Sequence, residues 1–311
     1  MPARASSKEE SWPSLDGDRA RETAASLQLW MQIVGKTRLA LCPMENHWWQ
    51  VPLYVSARGL TTLAVPADGR AFDVELDLVA HELRLRASDA AGETIRLASG
   101  PLAAFYATYM ERLQRIGARP EMMPYTVELP ERISLATDQR VCEYDPEWAG
   151  RFFRALLDAD RLMKEFRGAF TGKVSPVHFF WGGFDLAVTR FSGRRAPPHP
   201  GGIPNVGTWV MREAYSHEVS SAGFWPGDPR FPEPAFYAYA YPEPPGFRDV
   251  RVRPAAAFYE PALGEFVLPY RAVRASADPD GDVRAFLEDT YAAAADLGGW
   301  NRPALERARE R

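Results

Sequence analysis

The sequence predicts an α+β protein in which two antiparallel meander sheets are each flanked by helices. Three observations carry that prediction. Apolar residues at helical spacing open and close each half of the chain, short strands bounded by turn residues fill the interval, and the order helix, strands, helix occurs twice.

The first helix is expected over 19–34, where Ala20, Ala24, Leu27, Met31 and Val34 form one stripe, with Asp16 or Asp18 as its cap and Gly35 as its stop. Strands follow at 48–56, 60–65, 71–78, 81–87 and 94–97, with Asp68-Gly69 and Ala91-Gly92 as turns. Asp73, Glu75 and Asp77 alternate along one of them and read as a solvated face. Pro101 begins a second helix whose Leu102, Phe105, Tyr109, Leu113 and Ile116 share a stripe ending at Gly117.

In the second half, Asp145 as N-cap and Pro146 at the first position open the longest helix, with Trp148, Phe152, Leu156, Ala159, Met163 and Phe166 on one side and Gly168 as its stop. Strands are expected at 177–191, 236–241, 256–260 and 265–270, and a last helix carries Val283, Phe286, Leu287, Tyr291 and Ala294. The chain thus divides into a flexible tail (1–15), a first half (16–120), a connector (121–144), a second half (145–300) and a charged tail (301–311). Gly35-Lys36 against Gly172-Lys173, and His47-Trp48-Trp49 against His178-Phe179-Phe180, suggest an internal duplication with a pseudo-twofold axis.

Composition narrows the function classes. A net charge of −4 over 311 residues gives no general attraction for nucleic acid or an anionic membrane. The polar start of the chain lacks the apolar core of a signal peptide, and no run approaches the roughly 18 apolar residues that span a bilayer. Cys42 and Cys142 form neither a disulfide framework nor a zinc knuckle, and Cys42, between Leu41 and Pro43, reads as packed. A reducing cytoplasm is the expected location.

Chemistry is concentrated between 178 and 227. The segment holds His178, His199 and His217, which are three of the five histidines, together with Trp181, Trp225 and many Gly and Pro. A long irregular stretch rich in aromatics points to a site. Arg190, Arg194 and Arg195 have no acidic residue near them in sequence, so the favoured ligand is a small anionic or polar molecule held between these arginines and the imidazoles of His178 or His217. Gly182-Gly183 and Gly201-Gly202 are positions where backbone can approach a ligand closely. By strict alternation, His178 and Asp185 face opposite sides of one strand unless the glycine pair inserts a bulge. A metal site from His178, His199 and His217 is an alternative, although the spacing matches no common ligand pattern. No nucleotide-binding glycine pattern and no nucleophile elbow is present, so neither cofactor nor catalytic group is assigned. A rival reading is a noncatalytic interaction surface built from the Pro-rich stretches and Tyr237, Tyr239 and Tyr241, which alternation puts on one strand face.

Four stretches together carry a resemblance: Gln32-Ile33-Val34-Gly35-Lys36, the run from His47 to Tyr54, the run from Pro176 to Asp185, and the run from His217 to Gly227. They are similar to a bacterial family of about this length that is catalogued as a domain of unknown function. The resemblance spans nearly the whole chain and implies no substrate, cofactor or catalytic residue.

Overall fold

The structure, a computed structural model, describes residues 11–308. The first half runs α1 (Ala20–Leu41), a 3-10 turn (Asn46–Trp48), β1 (Tyr54–Val55), β2 (Gly59–Thr61), β3 (Val65–Ala67), β4 (Arg70–Asp77), β5 (Glu82–Ala87), β6 (Gly92–Arg96), β7 (Gly100–Pro101) and α2 (Leu102–Arg115). After β8 (Val141–Cys142) and α3 (Pro146–Gly168) come β9 (His178–Phe180), β10 (Asp185–Arg195), α4 (Thr208–Ala214), β11 (His217–Trp225) and β12 (Ala235–Tyr241). The chain closes with β13 (Phe258–Glu260), β14 (Glu265–Pro269), α5 (Tyr270–Ala275), α6 (Pro279–Leu297) and α7 (Arg302–Leu305).

The α+β class predicted from sequence is the one observed. One antiparallel sheet has the order β1-β2-β4-β5-β6 with β3 also on β4; the other has the order β13-β14-β12-β11-β10-β9. They meet edge to edge where Leu53 and Phe179 exchange backbone hydrogen bonds of 2.8 and 2.7 Å. A short β7–β8 ladder ties the start of α2 to the connector.

Several elements depart from the local pattern, each for a tertiary reason. Helix α1 does not stop at Gly35 but continues to Leu41, because Gly35 lies under the Trp181 ring, where a Cβ would collide with the indole. Its N-cap is Arg19, with no side-chain cap from Asp16 or Asp18. Helix α3 follows expectation, and the Asp145 carboxylate accepts from the Glu147 and Trp148 amides at 2.9 and 3.3 Å. The strand expected over 48–56 is only Tyr54–Val55, since His47 and Trp48 adopt positive φ of 59° and 65°. The strand expected over 177–191 is a hairpin, β9 and β10, folded at Trp181–Phe184.

Strand β11 was not foreseen. Ser220-Ser221-Ala222-Gly223 reads as loop, yet it sits between β10 and β12 at the centre of the sheet, where pairing on both sides satisfies every backbone group. At the far edge β14, rather than β13, joins β12, which breaks the meander order. The carboxylates of β4 do share one face, but Glu75 and Asp77 are buried there under Arg58, Arg84 and Arg86. The expected frayed tail is anchored from Trp12, whose indole is buried and donates to Asp280 at 3.0 Å. Leu15 is also core, while residues 1–10 lie outside those described.

Helices α3 and α6 cover one side of the second sheet. Phe152 of α3 stacks on Phe224, and Phe224 packs on Phe236 and Tyr270. Among the described residues no helix packs in this way on the opposite side. Its cover comes from the connector and from the Pro-rich stretch before β11, clasped through Glu128 N to Pro204 O at 2.8 Å and Asn205 Nδ2 to Leu129 O at 2.8 Å.

Candidate functional site

The open face of the second sheet is set by register. Asp185, Ala187 and Thr189 of β10, Gly223 and Ser221 of β11, Tyr237 and Tyr239 of β12 and Glu265 of β14 lie on this side, with His178 and Phe180 beside them on β9. Small residues occupy the middle strands, and the two tyrosine rings, 6.2 Å apart and nearly parallel, lean over them. Only glycine at 223 permits this, because a Cβ there would meet the Tyr237 ring. The Tyr237 hydroxyl donates to the Asp185 carboxylate. Tyr239 and Tyr215 join hydroxyls at 2.7 Å, and Thr189 and Ser221 at 2.9 Å, forming a row of polar groups on a half-buried floor.

Glu128 completes the arrangement from the connector. Its backbone has φ of 62°, an unfavourable left-handed conformation, and two glutamines of α1 hold the surroundings. Gln32 is fully buried and pairs with Val127, donating to its carbonyl at 2.8 Å and accepting from its amide at 3.0 Å; Gln28 donates to Gly182 O at 2.6 Å. The Glu128 carboxyl lies on Gly182, where a Cβ would strike it. Asp185 Oδ1 and Glu128 Oε2 lie 2.6 and 3.4 Å from the point a Gly183 Cβ would occupy, which bounds their separation at about 6 Å.

The electrostatics follow from this crowding. Desolvation pushes the Asp185 carboxyl up to about 6, and the Tyr237 hydrogen bond acts in the opposite sense. Glu128 is raised to about 7 by the surrounding protein and then by the Asp185 charge, while its side chain keeps contact with solvent. Glu265, also desolvated and near Asp185, is raised to about 8. Two carboxyls within reach of one small molecule, both titrating near neutrality, can hold and exchange a proton.

The side chains singled out from sequence are divided among different surroundings. His178 and Asp185 share the open face, because the hairpin turn returns β10 in register with β9. His178 is buried, its Nδ1 has no partner, and burial followed by the Arg38 charge lowers it to about 3. Trp181 seals the junction with α1 and donates to Val51 O at 2.9 Å. Arg190 points to the helix side, with its guanidinium 3.3 Å from the Phe166 centroid, 4.3 Å from that of Tyr291, and bonded to the Phe166 carbonyl. Arg194 is held by Glu218 at 2.7 Å and by the carbonyls of Gly298 and Gly299 at the end of α6. Neither is free to take an anion. Arg195 is exposed and pairs across strands with His217. His199 lies between the rings of Tyr215 and Tyr241 and accepts from Gly201 N at 3.0 Å. Trp225 packs with Ala235, Tyr237 and Val267 at the opposite end. His178, His199 and His217 therefore do not form one cluster, and among the described residues no three His, Cys, Asp or Glu side chains are grouped to hold a metal ion.

A family model described as a family of unknown function, DUF5996, matches residues 12–307. The chain belongs to that family. No curated protein and no solved structure matches it. Membership is consistent with the whole described fold acting as one unit and leaves the chemistry to be argued from the site. No helix among the described residues is long and apolar enough to cross a membrane.

Glu128, Gln28, Gln32, Tyr215 and Glu265 were missed by sequence reasoning. Only weak signals existed. Gly182-Gly183 marked a close approach, but to a carboxyl side chain rather than to a ligand, and Glu128 stands in a stretch without periodicity. The tyrosine strand was legible, and β12 pairs on both sides within the sheet.

Proposed function

We propose that this protein is a small-molecule enzyme whose site is the open face of the second sheet. Glu128 and Asp185 serve there as an acid–base pair, and Tyr215, Tyr237 and Tyr239 orient a polar substrate. The supporting observation is the carboxyl pair itself, bracketing Gly183 within about 6 Å and titrating near pH 6 and 7. Between those values one proton is shared, so that Asp185 is the better base and Glu128 the better acid, with apparent constants that belong to the pair. Three carboxyls on one face disfavour an anion at this position and favour an uncharged or cationic polar molecule. The free thiols of Cys42 and Cys142 support a reducing, cytoplasmic setting.

A thermal-shift screen of sugars, amines, amino acids and polyols tests the reading, because a ligand selective for the folded state raises its apparent stability. The expected result is stabilisation by an uncharged or cationic compound that is lost in Asp185→Asn and in Glu128→Gln. Stabilisation that both variants retain in full would remove the carboxyl pair from the site.

A further inference from the structure

A second group of polar side chains lies at the other end of the same face, and the carboxyl pair has no part in it. Lys173 Nζ donates to His47 Nε2 at 2.6 Å, while His47 Nδ1 donates to the Ala214 carbonyl at 2.9 Å, which fixes the imidazole tautomer. The His47 and His217 rings are 5.6 Å apart, and Arg195 stands directly across from His217 on the neighbouring strand. Lys173 is further confined by the rings of Trp49 and Phe191, at 5.4 and 5.2 Å from its ammonium.

We propose that Lys173, Arg195, His47 and His217 form a binding site for a phosphate group, free or carried as a monoester. The arrangement is rich in donors and cations and poor in anionic acceptors, the Ser216 hydroxyl at 3.1 Å from His217 Nδ1 being neutral. Arg194 is fully engaged one residue away, yet among the described residues the Arg195 guanidinium makes no hydrogen bond or ion pair, and Lys173 has no carboxylate within ion-pair range. The one carboxylate facing the group is Glu213, which accepts from the His47 amide at 3.3 Å. Burial, Lys173 and His217 lower the proton affinity of His47 against the Ala214 carbonyl and Glu213; burial, Arg195 and Lys173 lower that of His217 against Glu213. Lys173 is itself lowered by burial. Such a field is relieved by a bound anion. A dianion suits two cations and an imidazole that gains a proton on binding, whereas a carboxylate leaves part of the charge unmatched. Glu213 also lines a groove of about 520 Å³ with Leu39, Met44, Trp48 and Trp209, an apolar shelf for the organic part of an ester.

The test is a titration of the full chain with inorganic phosphate, phenyl phosphate and acetate at constant ionic strength, read on the histidine ring NMR signals. Both phosphates are expected to shift His47 and His217 saturably and to raise the apparent pKa of His217. Arg195→Ala is expected to weaken binding by about tenfold or more, as loss of a charge-assisted contact implies. Tighter binding of phenyl phosphate assigns an esterified ligand, and equal or tighter binding of the inorganic ion assigns the free one. Lys173→Met, at an exposed position, serves as the second variant, with its melting temperature recorded to show that the fold is kept. Histidine signals that do not move with either phosphate, acetate binding as tightly as phosphate, or undiminished affinity in both folded variants would overturn the proposal.

Discussion

The two faces of the second sheet treat charge in opposite ways. On the helix side Arg190 of β10 is almost completely enclosed, yet it has a carbonyl, two close aromatic faces and Glu288 at 3.6 Å. On the open side the half-buried Asp185 and Glu265 and the exposed Glu128 act on one another as like charges, and Arg230 offsets this only at Glu265. The first pattern offsets only part of the cost of burial, which leaves the Arg190 Nε without a partner and lowers the group from 12.5 to about 10. The second costs stability, and carboxyls held partly protonated at neutral pH are typical of sites kept for chemistry.

The largest expected difference between the faces is in folding. Phe224→Ala removes a ring from the fully buried cluster of Phe152, Phe236 and Tyr270 and is expected to cost about 3–5 kcal/mol in urea unfolding. Tyr239→Phe, across the sheet, removes one hydroxyl contact and is expected to cost about 1 kcal/mol. Equal losses would mean that the open face is packed as tightly as the other.

Lys36 provides an intermediate case, a buried ammonium on α1 with no hydrogen-bond partner, lying 5.1 Å over the Trp181 ring. Burial lowers it from 10.5 to about 8, so the unfolded chain binds more protons between those values. Stability is therefore expected to rise as pH increases from about 8 to 10.5. Lys36→Met should be more stable at pH 7 by roughly 1–3 kcal/mol and should lose that rise, which parallel melts of the two proteins would measure.

The open-face carboxyls predict the reverse slope. Their folded values lie above the unfolded ones, so the native state binds more protons between about pH 4 and 8, and stability falls as pH rises through that window. Asp185→Asn and Glu265→Gln should each flatten the fall. A wild-type profile already flat over this range would show that solvent compensates these groups. The smallest effect is expected from Tyr237→Phe. It removes the bond that favours the Asp185 carboxylate, and carbon NMR should find the carboxyl titrating above about 6 with little change in melting temperature.

The sequence by itself determined the elements whose signals are local. The stripes of α2, α3 and α6, the Asp145 cap, the Asp68-Gly69 turn and the shared face of Tyr237 and Tyr239 follow from periodicity and side-chain hydrogen bonding within a few residues, whereas Gly92 opens β6 instead of turning the chain. Arg195 and His217 were also marked, although the partners expected beside them, Arg190 and Arg194, face elsewhere.

Tertiary structure decided the rest. Gly35 looks like a helix stop until an indole from a distant hairpin needs its missing side chain, and Ser220 to Gly223 looks like loop until strands on both sides complete its hydrogen bonds. The carboxyl pair joins residues far apart in sequence, Glu128 and Asp185, through glutamines on a third element, α1. Local pattern records which face of an element is buried. It carries no record of which remote side chain arrives there, because that depends on how the packed elements meet.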